Sequence, residues 1–351
     1  MMVVRANDDG DVENVALVGN THEERRPLWE HAVPLATCSK LIAGNALTGL
    51  PATLCVGTAS GRVQIYGEDD SAPIAHYSMN ASVSALSVLN VRHDAPRILA
   101  GDNAGHVGLF QLEAPAEDPS SQPLTNLGRL HLYESCVTSV SVCPFRGGLG
   151  VAGSEEGKVD LIHLERMQTQ TIPSRDAASV NDICFWSPDA VAVAGSSPGG
   201  VLRVWDARSP TMAMQSLPDA QNANTRQTSL AVHPSVPYQL ACGDALGGIS
   251  LWDLRTQRCS GRLVTHQDTI TGLTFHPDRP QILLSASDDG MVRAMNVQTP
   301  SQSPVDPLYS FQGMACTSVD VCSDELSGPL LMAGGEDETI ILTPLLQVLP
   351  L

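Results

Sequence analysis

The chain repeats one short pattern seven times, and this repetition restricts the fold more than any single residue does. In each unit a turn introduces a run of alternating apolar residues, and two units, 200–208 and 247–255, end in Trp-Asp-x-Arg. Periods of about 40–50 residues with several short strands are typical of a β-propeller. The turn that marks each unit falls at Gly61, Gly105, Gly157, Gly200, Gly247, Gly290 and Glu338, at intervals of 44, 52, 43, 47, 43 and 48 residues.

Every unit has the same predicted order of strands. An apolar strand comes first and often ends at a proline, as in His233-Pro234 and His276-Pro277, because proline cannot donate to a ladder. A second strand of small residues follows, since inner strands crowd near the axis of a propeller, and a Gly/Asp/Ser turn returns the chain into the third. A more polar fourth strand is expected at the outer edge. The sequence therefore predicts an all-β, seven-bladed propeller that uses residues 1–351 as a single domain.

Closure of the ring needs one more strand, because an open ring would leave unpaired strand edges. The segment 12–18 alternates weakly before the first complete unit, so we predict that it forms the outer strand of the last blade. The tail 345–351 is the competing donor. Two long connections, 111–127 and 297–307, are expected to be exposed loops, either tolerated insertions or docking segments.

Charge and cysteine content restrict the partners and the compartment. A formal net charge of −18 opposes binding to nucleic acid and to anionic membranes, and it favours solubility or attraction to a basic partner. The nine cysteines are scattered without a Cys-x-x-Cys pair, which predicts buried thiols in a reducing compartment. No run approaches the roughly 18 apolar residues of a membrane helix, and residues 1–11 do not resemble a secretory signal. We expect a soluble intracellular protein without membrane insertion.

The motifs of catalysis and of metal binding are missing from this sequence. There is no His-x-x-x-His, His-Glu-x-x-His, paired cysteine or phosphate loop. His233 and His276 occupy equivalent turns, so repetition explains them better than catalysis does. Carboxylate clusters at 155–156, 288–289 and 336–338 recur at one hairpin position, where exposed acids are favoured. The prediction is a non-enzymatic protein with no cofactor, no metal and no catalytic residues.

The two endings Trp205-Asp206 and Trp252-Asp253, the period and the turn chemistry resemble the WD40-repeat family over essentially the whole chain. Elsewhere the pattern is degenerate: the terminal tryptophan is replaced in several units, and the structural Gly-His is largely missing. The resemblance implies blades stabilised by a His, Ser/Thr, Asp and Trp hydrogen-bond network. A remnant of that network without the tryptophan is expected in the sixth unit, from His266, Ser285 and Asp289.

Within that family the order of features is similar to the small WD-repeat nucleoporins of the Y-shaped outer-ring complex of the nuclear pore. The features are Arg-Arg-Pro-Leu-Trp at 25–29, two adjacent Trp-Asp-x-Arg units, Ser-Asp-Asp-Gly at 287–290, and a last unit with Leu-Met-Ala-Gly-Gly-Glu-Asp-Glu-Thr-Ile at 331–340. This resemblance implies a scaffold at the nuclear envelope that supports nucleocytoplasmic transport of protein and mRNA. It would dock onto an α-solenoid nucleoporin, without direct nucleic-acid contact and without obligate homo-oligomerisation.

The Trp-Asp-x-Arg units leave two alternatives open. Tandem units of this kind also resemble those by which WD-repeat substrate receptors dock on the adaptor of a cullin-4 ubiquitin ligase, and that resemblance implies that Arg208 and Arg255 contact the adaptor. Alternatively, Trp205 and Trp252 pack between blades while Asp206 and Asp253 cap the next turn and the arginines lie in solvent or pair locally. The residues alone do not decide between these roles.

Overall fold

A ring of seven four-stranded sheets confirms the predicted seven-bladed β-propeller. The computed structural model describes residues 3–6, 12–15, 29–33, 36–44, 52–67, 72–90, 95–113, 123–173, 178–195, 202–206, 215–217, 225–236, 238–298, 307–311, 313–324 and 328–345. These ranges hold thirty strands, of which β1 (Val3–Ala6) and β2 (Val12–Val15) pair only with each other.

The first three blades contain strands β4 to β15, each blade in sequential antiparallel order from the inside outwards. Blade 1 holds β4 (Ala36–Ile42), β5 (Thr53–Thr58), β6 (Arg62–Tyr66) and β7 (Ala75–Ser78). Blade 2 holds β8 (Val83–Leu89), β9 (Arg97–Asp102), β10 (His106–Leu112) and β11 (Leu124–His131). Blade 3 holds β12 (Val137–Val142), β13 (Leu149–Ser154), β14 (Val159–His163) and β15 (Gln168–Ile172).

The next three blades repeat the arrangement. Blade 4 holds β16 (Val180–Ser187), β17 (Ala190–Gly195), β18 (Leu202–Asp206) and β19 (Gln215–Leu217). Blade 5 holds β20 (Gln227–Val232), β21 (Gln239–Asp244), β22 (Gly248–Asp253) and β23 (Arg258–Val264). Blade 6 holds β24 (Ile270–Phe275), β25 (Ile282–Ser287), β26 (Met291–Asn296) and β27 (Pro307–Ser310).

The seventh blade is completed by a strand from the N-terminal side of the chain, as predicted, but the predicted position of that strand is wrong. Blade 7 holds β28 (Cys316–Asp324), β29 (Gly328–Gly335), β30 (Thr339–Pro344) and β3 (Trp29–Ala32), and β3 pairs antiparallel with β30. The segment 12–18 does not take this place: its residues 12–15 pair with β1.

The connection between blades explains this correction. In a propeller the outer strand of one blade leads within a few residues into the inner strand of the next, as β7 leads into β8. Of the two N-terminal segments, only 29–32 stands directly before β4, and the amide of Val33 anchors the link by donating to the carbonyl of Glu338 at 2.9 Å. Beyond Leu345, the competing C-terminal tail lies outside the described residues.

The turn between the second and third strands has the geometry that the repeat predicted. The glycines at positions 61, 105, 157, 247 and 290 have φ between 77° and 81°, and Glu338 takes the same left-handed conformation at 67°. A side chain at Gly105 would also collide with the backbone, since its Cβ would lie 1.7 Å from the carbonyl oxygen of Tyr133. Gly200 lies outside the described residues.

Small residues in the second strands let neighbouring blades approach closely, also as predicted. A Cβ at Gly153 would lie 2.4 Å from Cγ1 of Val180 on the next blade, and one at Gly101 would lie 2.5 Å from Cγ1 of Val137. Each blade interface is filled by apolar side chains from two adjacent sheets, which form seven clusters around the ring. All nine cysteines are free thiols and five of them are buried in these interfaces.

The predicted exposed loops are shorter than expected. β10 extends to Leu112 and β11 begins at Leu124, so both ends of the segment 111–127 belong to the sheet of blade 2. Only 114–122 lies outside the described residues. The segment 297–307 likewise ends in β27, which begins at Pro307, and its residues 299–306 are not described. Leu112 and Leu124 pair across β10 and β11 and are both buried, which extends the ladder into the first of these segments.

Candidate protein-interaction surfaces

The two signature tryptophans pack between blades, as one of the alternatives held. Trp205 is 3 % exposed among apolar residues of blades 3 and 4, and Trp252 is 1 % exposed among those of blades 4 and 5. Their bulk is therefore used inside the ring and is not presented to a partner. Burial of a side chain of this size contributes about 3–5 kcal/mol to stability.

Asp253 and Arg255 form a local pair on the surface of blade 5. Asp253 Oδ1 accepts from the amide of Arg255 at 2.9 Å, and Oδ2 accepts from Arg255 Nη2 at 3.0 Å. The hydrogen bond from Arg255 lowers the pKa of Asp253. The guanidinium carbon lies 3.4 Å from the ring centroid of Tyr238, and 59 % of the side chain stays exposed. Arg255 is thus pre-positioned but accessible, and adaptor contact by it stays a prediction.

Arg208 lies outside the described residues, so its role as an adaptor contact also stays a prediction. Asp206 ends β18 in a half-buried position, and the segment 207–214 that follows is not described. The structure consequently describes only one of the two predicted contact arginines.

We call the side of the ring that carries the first-to-second and third-to-fourth strand turns the lower face. A groove of about 400 Å³ opens there between blades 5 and 6. Its walls combine apolar and polar side chains from both blades, and it is lined by His233, Ser235, Val236, Gln239, Leu240, Leu251, Trp252, Ser260, Phe275, Pro280, Gln281, Val297 and Gln298.

Two histidines hold the turns that border this groove. Nδ1 of His233 accepts from the amides of Ser235 and Val236 at 3.2 and 3.0 Å, and Nδ1 of His276 accepts from the amides of Asp278 and Arg279 at 3.1 and 3.3 Å. Burial lowers the pKa of both imidazoles. Each therefore stays neutral with its proton on Nε2, which confirms the structural role predicted from their repetition.

The opposite side, the upper face, carries the second-to-third strand turns and the links between blades. In blade 6, His266 Nδ1 donates to Asp289 at 2.9 Å while Nε2 accepts from Ser285 Oγ at 2.8 Å. Burial lowers the pKa of His266 even though Asp289 opposes that shift. The predicted three-residue remnant of the family network is confirmed, with Met295 in the tryptophan position.

Blades 2 and 5 stabilise the same turn differently, through an aspartate that binds the turn amides and pairs with an arginine. In blade 5, Asp244 Oδ1 accepts from the amides of Leu246 and Gly248, and Oδ2 accepts from Arg262 Nη2 at 2.8 Å. In blade 2, Asp102 binds its own turn and Arg129 in the same way. Sequence reasoning missed this pair, although the signal was present: both units place Asp three residues before the turn glycine and an arginine on the outer strand.

The seven inner strands surround a polar channel with a cavity of about 310 Å³. At one side Lys40 Nζ lies 3.9 Å from Asp320 Oδ1, and burial raises the pKa of Asp182 despite hydrogen bonds from Ser139 and two amides. Among the described residues, no group of three or more His, Cys, Asp or Glu side chains is placed to hold a metal ion.

A ring of polar side chains at the second position of each inner strand was also missed. Five of them donate across the blade interface to the backbone carbonyl of the first residue of the next inner strand. These hydrogen bonds link neighbouring blades at the channel. The residues at this position are Thr37, Ser84, Thr138, Asn181, Thr228, Thr271 and Thr317, and the bridging donors are Thr37, Ser84, Asn181, Thr228 and Thr271. Their recurrence at the start of each inner strand, at intervals of 43 to 54 residues, was the available signal.

Comparison with known proteins agrees with this architecture. The family model described as WD domain, G-beta repeat, matches residues 257–294, which cover β23 to β25 and most of β26. No helix within the described ranges is long and apolar enough to cross a membrane.

Individual relatives are distant. Methylosome protein WDR77 of Xenopus laevis is 23 % identical over 76 % of this chain and 80 % of its own length. Nuclear pore complex protein nup43 of Dictyostelium discoideum is 26 % identical over 45 % of this chain and 37 % of its own length. Nucleoporin Nup43 of Homo sapiens is 23 % identical over 56 % of this chain and 53 % of its own length. The chain thus spans about half or less of the length of these two nucleoporins.

These matches and the seven blades confirm the resemblance to WD40-repeat proteins that the sequence predicted. The chain is a seven-bladed β-propeller that contains a match to the WD40 repeat and resembles WD-repeat proteins. In particular it is similar to the nucleoporins named Nup43.

Proposed function

We propose that this chain is a non-enzymatic scaffold of the nuclear pore complex, placed in the outer ring at the nuclear envelope and supporting nucleocytoplasmic transport. The observation that carries the proposal is the similarity to nucleoporins named Nup43 from three organisms, joined to a closed propeller. The rigid ring would bury helical segments of an α-solenoid nucleoporin and so stabilise the assembly without turnover of a substrate.

The physical features of the ring support a docking role. Seven apolar interfaces and the hydrogen bonds between inner strands at the channel hold the blades rigidly, so that little conformational entropy is lost on binding. The excess of acidic residues disfavours direct contact with nucleic acid, because phosphate is repelled at long range.

Two other functions have specific support. The match to Methylosome protein WDR77 covers most of both chains, which makes a methylosome-like assembly the second candidate. A cullin-4 ligase receptor is the third, because Arg255 is exposed and held in place by Asp253 and Tyr238.

Affinity purification of the tagged full chain from its own cells, followed by mass spectrometry, separates the three. Outer-ring nucleoporins are the expected result. Recovery of methylosome components without nucleoporins would replace the proposal by the second candidate.

The third candidate requires recovery of the cullin adaptor and its loss on combined Arg208→Ala and Arg255→Ala. Arg166→Ala is the matched control, since Arg166 is an exposed arginine in the equivalent turn of blade 3. If the nucleoporins stay bound to all of these variants, the arginines are not their contact.

A further inference from the structure

We propose that the groove between blades 5 and 6 on the lower face binds a short acidic peptide segment through one apolar anchor residue. The inference rests on the proposed docking function and names the chemistry of one partner segment. Its volume of about 400 Å³ is in the range of sites that accept one or two side chains.

The first support is the lining. Leu251, Phe275 and Val297 offer an apolar floor that can receive a leucine or phenylalanine side chain. Phe275 is fixed by its contact with the His233 ring, at 5.0 Å between centroids. Around this floor, Gln239, Gln281 and Gln298 provide amide donors and acceptors for an extended peptide backbone. A floor of this kind favours a single anchor over a broad interface.

The second support is His233 itself. Its side chain is 93 % buried, and Nδ1 is occupied by two backbone amides of its own turn. The proton therefore lies on Nε2, for which the described part of the chain supplies no acceptor. Nε2 is not one of the buried side-chain atoms that lack a partner, so it is accessible from the groove, where a peptide carbonyl or carboxylate can accept from it.

The third support is local charge. The whole chain carries a formal charge of −18, yet arginines flank this groove. Arg279 precedes the lining residue Pro280, and Arg258 lies two positions before Ser260 on β23. Neither forms an ion pair within the described residues. Two aspartates are nearby: Asp253 is paired with Arg255, whereas Asp278 accepts a hydrogen bond from Ser323 at 2.6 Å and keeps its negative charge. Arg258 and Arg279 therefore outnumber the one carboxylate that has no cationic partner among the described residues, and this local excess of positive charge favours an acidic segment as the occupant.

The test uses the purified full chain and fluorescence anisotropy. The probe is a pool of fluorescein-labelled nonapeptides with one central leucine or phenylalanine flanked by aspartates and glutamates. Saturable binding that weakens when NaCl is raised to about 0.3 M is expected, because salt screens exposed charges. Pools with lysine flanks, or with a central serine, should not bind; equal binding of either would overturn the proposal.

Variants localise the binding. Gln281→Trp fills the groove and should abolish binding, while Arg258→Glu with Arg279→Glu should raise the Kd by at least about tenfold. Gln168→Trp and Arg166→Glu, both exposed positions of blade 3, are the matched controls and should leave the Kd unchanged. Gln298→Trp serves as a second filling variant if Gln281→Trp lowers the thermal stability. Binding that survives both filling variants, or a dimer of the chain that these variants dissociate, would overturn the proposal.

The same variants keep this inference separate from the proposed function. If the unaltered chain recovers outer-ring nucleoporins from cells but no acidic pool binds in solution, the groove assignment fails and the scaffold role stands. If the acidic pool binds but no nucleoporin is recovered, the groove assignment stands and the scaffold role fails.

Discussion

Blades 5 and 6 are neighbours, and each retains a different part of the His, Ser/Thr, Asp and Trp network: blade 5 has the tryptophan, and blade 6 has the three polar residues. Blade 5 has Trp252 at the end of its third strand, but Cys242 stands where blade 6 has Ser285, and Leu246 stands where blade 6 has Asp289. Blade 6 has the complete His266, Ser285 and Asp289 chain without a tryptophan. Both blades have the same four strands in the same order.

The difference shows that packing and the polar network are separable ways to stabilise one blade. Without the network, blade 5 fixes its turn through Asp244 and Arg262, and the indole nitrogen of Trp252 has no hydrogen-bond partner among the described residues. Blade 6 fixes its turn by a buried neutral histidine and fills the tryptophan position with the smaller Met295, which is also buried. Each blade retains one rigid element at the turn and one large apolar side chain below it.

The largest effect is expected for the tryptophan of blade 5. Trp252→Ala should lower the free energy of unfolding by about 3–5 kcal/mol, because it removes a fully buried side chain. Trp252→Phe should cost only about 1–2 kcal/mol, since the indole N–H has no partner to lose. Urea denaturation followed by circular dichroism measures both. A cost of Trp252→Phe close to that of the alanine variant would mean that the indole nitrogen is bonded after all.

The next largest losses of stability are expected for the side chains that hold the second-to-third strand turns. Asp244→Ala should lower the free energy of unfolding by about 3 kcal/mol, because it leaves the partly buried Arg262 without its carboxylate. His266→Ala should cost about 2 kcal/mol through two lost hydrogen bonds. A double-mutant cycle between Asp244 and Arg262 should show coupling, whereas Asp244→Ala combined with Asp102→Ala, at the equivalent turn of blade 2, should be additive. Coupling between the two blades would contradict the view that each turn is fixed independently.

A change of pH is expected to have a smaller effect on the free energy of unfolding. Burial lowers the pKa values of His233, His266 and His276 below the ordinary 6.5, so the folded chain keeps these rings neutral while the unfolded chain takes up protons. The free energy of unfolding should therefore fall as the pH drops from about 7.5 to 5.5. His276→Asn should flatten this slope, because the Asn carbonyl can accept from the same amides without titrating. Thermal unfolding at several pH values tests the sign, and greater stability at the acidic end would refute it.

The smallest effect is expected at the turn of blade 5 that departs most from its neighbours. Leu246 is 67 % exposed on the upper face, near Val264, which is 73 % exposed. Leu246→Asp, which copies blade 6, should change the free energy of unfolding by less than about 0.5 kcal/mol. A larger loss in differential scanning calorimetry would indicate that the leucine packs against residues outside the described ranges.

Much of the fold could be predicted because its signals are local and repeated. The turn glycines, the small second strands and the His-Pro turns each follow from backbone sterics, and each recurs in several blades. The His266 network was predictable by resemblance, since all three residue types stand at family positions. The closing strand was misplaced because its identity depends on a long-range pairing between β3 and β30, and the weak alternation of 12–18 carries no information about that partner.

The candidate surfaces were less predictable than the core. The Trp-Asp-x-Arg motif marked Arg255 and allowed for its local pair with Asp253, but the contact with Tyr238 comes from the turn between a different pair of strands. The groove is assembled from seven separate strands and turns of two blades, so no contiguous motif could reveal it.

The sequence by itself determined the number of blades, the order of strands and the structural use of His233, His266 and His276, because these depend on local geometry repeated along the chain. Only the tertiary structure decided which N-terminal segment closes the ring, which polar side chains cross between blades, and where arginines meet an apolar groove. Those features depend on residues from distant parts of the chain meeting when the ring closes, and their spacing in the sequence does not specify that meeting.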